Sequence, residues 1–179
     1  MSVQSWQELV HKITADGSAV GASSTTETAL LTAPTIPANY MENGRVLRVT
    51  CYGKISTNGT PTVKFGLRWG PATTGVLLAE TAALTNGSGV TNMNWMFEAL
   101  IQVRSNGATG TAMAMGKATL NTSSSASVNQ VFSVSGEDAP AAATCDFTAD
   151  TSLTPVITFG ASHASNTVTG TIFIIESLN

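Results

Sequence analysis

The sequence predicts an all-β fold: an antiparallel β-sandwich of the jelly-roll type, preceded by a short N-terminal arm. Three observations carry this reading. Apolar residues recur at every second position in several separate runs, as they do on a half-buried strand. Gly, Asn and Pro punctuate eight to ten such runs along the chain, the spacing of a sandwich or barrel. No sustained helical period appears beyond the first residues, and no fixed repeat that would build a propeller or β-helix. At 179 residues the chain is long enough to bury one sizeable core.

In order, residues 6–13, "WQELVHKI", place Trp6, Leu9, Val10 and Ile13 at helical spacing. The helix is about two turns long, too short to stand alone. The small, polar "TADGSAVGASSTTE" that follows has the composition of a linker. Residues 1–25 are therefore read as an arm with a short amphipathic helix. The alternative is a helix that caps one end of the domain. Residues 26–179 form the sandwich.

In "GRVLRVTCYGKIS" the inward set is Leu47, Val49, Cys51 and Ile55, with Arg48, Thr50 and Lys54 facing out. "TPTVKFGLRWG" repeats the device with Val63, Phe65, Leu67 and Trp69. "GVLLAET" is a shorter strand. "NWMFEALIQVRS" sets Trp95, Phe97, Ala99, Ile101 and Val103 against Asn94, Glu98, Gln102 and Arg104. It turns at Asn106-Gly107 into "TAMAMGKATL". Further strands are expected at "VNQVFSV", "TCDFTA", "TPVITFGAS" and "TVTGTIFIIESL". Ile172–Ile175 is apolar on both faces, so this final strand is expected to be central and covered on both sides. Leu47, Val49, Phe65, Leu67, Trp69, Trp95, Phe97 and Ile101 are expected in one core.

Hydrophobic residues make up 42% of the chain and charged residues 11%, against a norm of roughly 25% charged. The polar surface therefore comes from Ser, Thr, Asn and Gly, which cost less to cover than charges. The net charge is -3, and the Lys and Arg residues are scattered, so no line of phosphates can be neutralised and nucleic acid is not an expected partner. No apolar run approaches the ~20 residues of a membrane helix. Glu8, His11 and Lys12 fall where a signal peptide needs apolar residues, so a soluble protein is expected. Without a signal peptide, the acceptor tripeptides at Asn58, Asn86 and Asn121 carry little weight. Cys51 and Cys145 lack zinc or redox spacing. One disulfide is possible, and two free buried thiols are the preferred reading.

Candidates for chemistry are few. His11 and His163 are the only possible histidine bases, and no G-x-S-x-G elbow accompanies them. Glu98 is an outward strand residue and Glu137-Asp138 belongs to a turn, so paired carboxylates for glycoside hydrolysis are not apparent. Asp146 and Asp150 flank a short predicted strand, with too few oxygen ligands for calcium. No phosphate-binding loop is present. Neither catalysis nor a cofactor or metal is expected. Carbohydrate binding would need exposed aromatic rings, for which Tyr40 and Tyr52 are the candidates. Met93, Met96, Met113 and Met115 either fill gaps between sheets or face a neighbouring protein.

Over residues 28–179, "ENGRVLRVTCYGKIS", "NWMFEALIQVRSNGATGTAMAMGK" and the terminal "TGTIFIIESLN" resemble small jelly-roll virion proteins encoded by tailed bacteriophages. The resemblance implies a capsid decoration (cement) protein, bound to the major capsid protein on the phage head surface and made in the bacterial cytoplasm. It implies no catalytic residue. A homotrimer is expected, because threefold points of an icosahedral shell would dock one. The arm residues Trp6, Leu9, Val10 and Ile13 are the expected contacts with capsid or neighbouring subunit. A tail- or fibre-associated protein that binds a receptor or glycan is the alternative.

Overall fold

The computed structural model describes residues 7–132 and 141–178 of the chain. Among these the regular structure is all strand. The chain begins with β1 (Glu8–Lys12), β2 (Thr28–Ala29), β3 (Thr35–Ile36), β4 (Val46–Ser56) and β5 (Thr62–Trp69). It continues through β6 (Val76–Glu80), β7 (Leu84–Thr85), β8 (Met93–Ser105) and β9 (Gly110–Asn121). It ends with β10 (Ser127–Phe132), β11 (Ala142–Cys145), β12 (Thr151–Phe159) and β13 (Thr167–Ser177).

Two antiparallel sheets form the sandwich. One has seven strands in the order β1-β13-β4-β8-β9-β10, with β11 also on β9. The other has six, in the order β2-β12-β5-β6, with β3 on β12 and β7 on β5. Pairing β4 with β13 in one sheet and β5 with β12 in the other winds early and late parts of the chain together, as in a jelly roll. Strands β8, β9 and β10 follow as plain hairpins.

Alternation explains the long strands. All eight of the expected core residues are buried. Across the sheets the Trp95 ring stacks on Phe65, with centroids 4.9 Å apart, and within the seven-stranded sheet Phe97 on β8 stacks on Phe132 on β10 at 5.0 Å. Trp69 Nε1 donates to the Asp146 carbonyl at 2.8 Å, so that indole is buried with its polar atom satisfied. Cys51 and Cys145 are free and buried, and burial pushes the Cys145 thiol up to about 12, so both are inert packing groups. The β8–β9 turn needs a left-handed residue, and Gly107 supplies it at φ 103°.

Four expectations change. The N-terminal helix is absent: Glu8–Lys12 pairs as a strand with β13. A register shift between Leu9 and His11 breaks the period of two, so Val10 and Ile13 both reach the core and the pattern imitates helical spacing. Two turns of isolated helix cannot compete with the hydrogen bonds an open sheet edge offers. The following segment is no free linker either. Gly17 donates to Gly170, Val20 and Val168 exchange bonds at 2.9 Å, and Ser23 donates to His163. These contacts run through the backbone, so side-chain composition could not signal them.

The third change concerns β13, which lies one strand in from the edge with Ile172 44% exposed. Each sheet of a two-layer sandwich buries one face, and among the described residues nothing covers the other face of β13. Fourth, the strand expected at "TCDFTA" is only Ala142–Cys145, and Asp146 begins the loop that follows it. Ser133 and Val134, the end of the strand expected at "VNQVFSV", lie outside the described residues.

One ion pair locks the second sheet. Arg68 on β5 binds Glu27 through Nε to Oε1 at 2.6 Å and Nη2 to Oε2 at 2.9 Å. Arg68 also donates to Gly75 O, and the Thr73 amide donates to Glu27, so the pair holds the 70–75 loop. Burial pushes the Glu27 carboxyl up, but the Arg68 hydrogen bond and charge and the Thr73 amide outweigh it, leaving it below the ordinary 4.5. A depressed carboxylate adds stability that is present above its unfolded value and lost as pH falls below about 4.5 through the folded one. Glu27→Gln should cost about 1–2 kcal/mol at neutral pH and flatten this part of the acid limb. Urea unfolding at pH 7 and at acid pH measures both effects.

Candidate interaction surface

The outward face of the seven-stranded sheet carries the most distinctive surface. Charges alternate across four strands: Glu176 on β13 meets Arg48 on β4 at 3.6 Å, Arg48 meets Glu98 on β8 at 3.9 Å, and Glu98 meets Lys117 on β9 at 3.0 Å. Surface pairs of this kind add little stability. Their effect is to fix side chains and leave the middle of the face locally neutral.

An apolar row runs beside these charges. Leu100 lies opposite Met115, and Lys117 lies opposite Val131 on β10. Leu100 is 46% exposed, Met115 42% and Val131 66%. With Glu98, Gly116 and Lys117 they line a shallow groove of about 320 Å³. A second groove of about 180 Å³ lies further along the same face, bordered by Tyr52, Asn94, Met96, Thr119 and Asn121. Tyr52 is exposed beside Ile172, and among the described residues the Asn94 and Asn121 side chains have no hydrogen-bond partner.

The predicted contact residues do not form one stripe. Trp6 lies outside the described residues. Leu9 is exposed on the outer face, whereas Val10 and Ile13 are half-buried against the chain's own core. Of the methionines, Met96, Met113 and Met115 sit outward while Met93 packs against the core. The signal missed in the sequence was Leu100. Counting by twos from Glu98 places an aliphatic residue among the outward polar ones, and Val131 joins it only through the β9–β10 register.

The candidate residues for chemistry are dispersed. His163 Nδ1 accepts from the Ser165 amide at 3.1 Å, and Nε2 faces the Asn58 carboxamide at 3.1 Å, so the ring organises its own loop. Asp146 Oδ1 accepts from the Thr148 amide and hydroxyl, which lower its carboxyl below the ordinary range. Asp150 accepts from Ala38 N. Glu137 and Asp138 lie outside the described residues. Among the described residues no three His, Cys, Asp or Glu side chains gather where a metal could bind. No helix there is long and apolar enough to cross a membrane.

No protein-family model matches the chain, and no curated protein matches it in sequence. Among solved structures it is similar to the CBM2 module of the evolved Dit of Lactobacillus casei BL23 phage J-1. Identity is 11%, the TM-score is 0.40, and the alignment covers 99% of this chain and 98% of that one.

Proposed function

We propose that this chain is a non-enzymatic structural protein of a tailed-phage virion, docking through the outer face of its seven-stranded sheet. In the specific form we favour, it decorates the head, bridging major capsid subunits as a homotrimer through many weak contacts made together. Similarity of three sequence segments to such virion proteins supports the virion setting. The row of Leu100, Met115 and Val131 carries the docking reading, because it sets apolar side chains beside an ion network that is already paired. Flexible Met at the centre suits adaptation to a partner surface.

Leu100→Asp tests this. Leu100 projects outward, so the substitution should change folding stability by less than about 0.5 kcal/mol. Occupancy on purified particles should fall at least about tenfold, the effect of losing one central apolar contact. Unchanged occupancy would remove this face from the account.

A second reading has one observation in its favour. Tyr52 with the Asn94 and Asn121 amides offers a ring and hydrogen-bonding groups of the kind a glycan uses, which fits a tail- or fibre-associated receptor-binding protein. Binding of host cell-wall polysaccharide that Tyr52→Ala abolishes and Leu100→Asp leaves intact would favour it over head decoration.

A further inference from the structure

We infer that His11 is an acid-sensitive latch holding the N-terminal strand β1 on the edge of the sandwich. A bulge in β1 turns this side chain inward. After Leu9, the shifted register sets His11 opposite the inward-facing Ile175 of β13. There the imidazole packs edge-on against Phe173, with centroids 5.1 Å apart and planes at 64°. Its Nε2 is sealed from solvent and has no hydrogen-bond partner among the described residues. A neutral ring tolerates this when Nε2 is the unprotonated atom. A protonated ring carries N–H on both nitrogens, and the charged donor at Nε2 would then be buried without an acceptor.

Charged groups around the strand offer no compensation. On β1 itself, Glu8 accepts from the Tyr40 hydroxyl, and Arg45 stacks over that Tyr40 ring. Lys12 pairs in register with Ile174 and is exposed. On β13, Glu176 is engaged by Arg48 and by Gln7. Asp16, just beyond β1, pairs with Lys54. None of the described carboxylates forms an ion pair with His11. In agreement, burial lowers the imidazole below its ordinary 6.5.

The sign follows. The docked strand favours the neutral ring, so proton uptake favours the undocked one. Docking is unaffected by pH above 6.5, the ordinary value, and weakens as pH falls from there to the lower docked value. Over that interval the undocked-to-docked ratio rises by up to about tenfold per pH unit, then levels off. Only a few partly buried side chains hold β1, so it can leave while the core persists. Its departure bares the backbone groups of β13 from Ile174 to Ser177, an edge that a strand from another chain can pair with.

The test is nuclear magnetic resonance on the full chain between about pH 7.5 and about pH 5, across the histidine range. Cross-strand contacts of Leu9 and Lys12 with Glu176 and Ile174 should fade as His11 titrates, while contacts around Trp95 stay. In His11→Phe, which keeps the edge-on packing and cannot titrate, they should persist over the whole range. His11→Gln serves as a second non-titrating variant should the larger ring disturb the strand. Contacts that survive in the wild type to the lowest pH would overturn the latch, as would loss at the same pH in a non-titrating variant.

Discussion

Trp95→Ala should destabilise the sandwich by about 3–5 kcal/mol, the loss expected when a fully buried ring is replaced by a cavity. The ring spans the two sheets: it grows from β8 and stacks on Phe65 of β5, so its removal opens the centre of the core. A companion substitution separates packing from polarity. Trp95 Nε1 is buried without a partner among the described residues, so nothing is gained from the indole N–H. Trp95→Phe should therefore cost much less, under about 1.5 kcal/mol. Urea denaturation of both variants measures the pair. A loss under about 1 kcal/mol for the alanine variant would mean that the ring does not hold the sheets together.

Gly53→Ala should be nearly as damaging, at about 3 kcal/mol, for the opposite reason. Gly53 lies between Gly170 on β13 and Trp95 on β8. A methyl group there would run into the Thr169 carbonyl and come within 2.7 Å of Trp95 Cζ2. The backbone carbonyl cannot give way without breaking the β4–β13 ladder. Because the two sites touch, their effects should not add. Gly53→Ala placed on Trp95→Ala should cost less than it does alone, since one of its two clashes is gone. Strict additivity in this cycle would show that the ring and the glycine are independent.

The sequence disclosed the sandwich wherever a strand alternates over its whole length. Strands β4, β5 and β8 do so, and their inward residues form the core. It disclosed less where the pattern is broken or too short. The bulge at Leu9–His11 made β1 look helical, and β2, β3 and β7 have two residues each, too few for any period. Those short strands exist because β12 or β5 offers them an open edge, a fact of tertiary structure. Ile172–Ile175 misled differently: apolar side chains on both faces resemble a doubly covered strand, yet Ile172 faces outward beside Tyr52. The interaction surface was legible only in part. Alternation along "TAMAMGKATL" puts Met115 and Lys117 on one face, but the row joining Leu100 to Val131 crosses three strands, and register is not written in any one of them.

The central claim is that the outer face of the seven-stranded sheet is where this protein meets its partner in the virion. Electron cryomicroscopy of purified particles carrying the chain tests it most directly. The account predicts a sandwich seated on the head shell, with Leu100, Met115 and Val131 in the contact. Particles lacking the protein, or a sandwich attached by another surface with that row open to solvent, would contradict it.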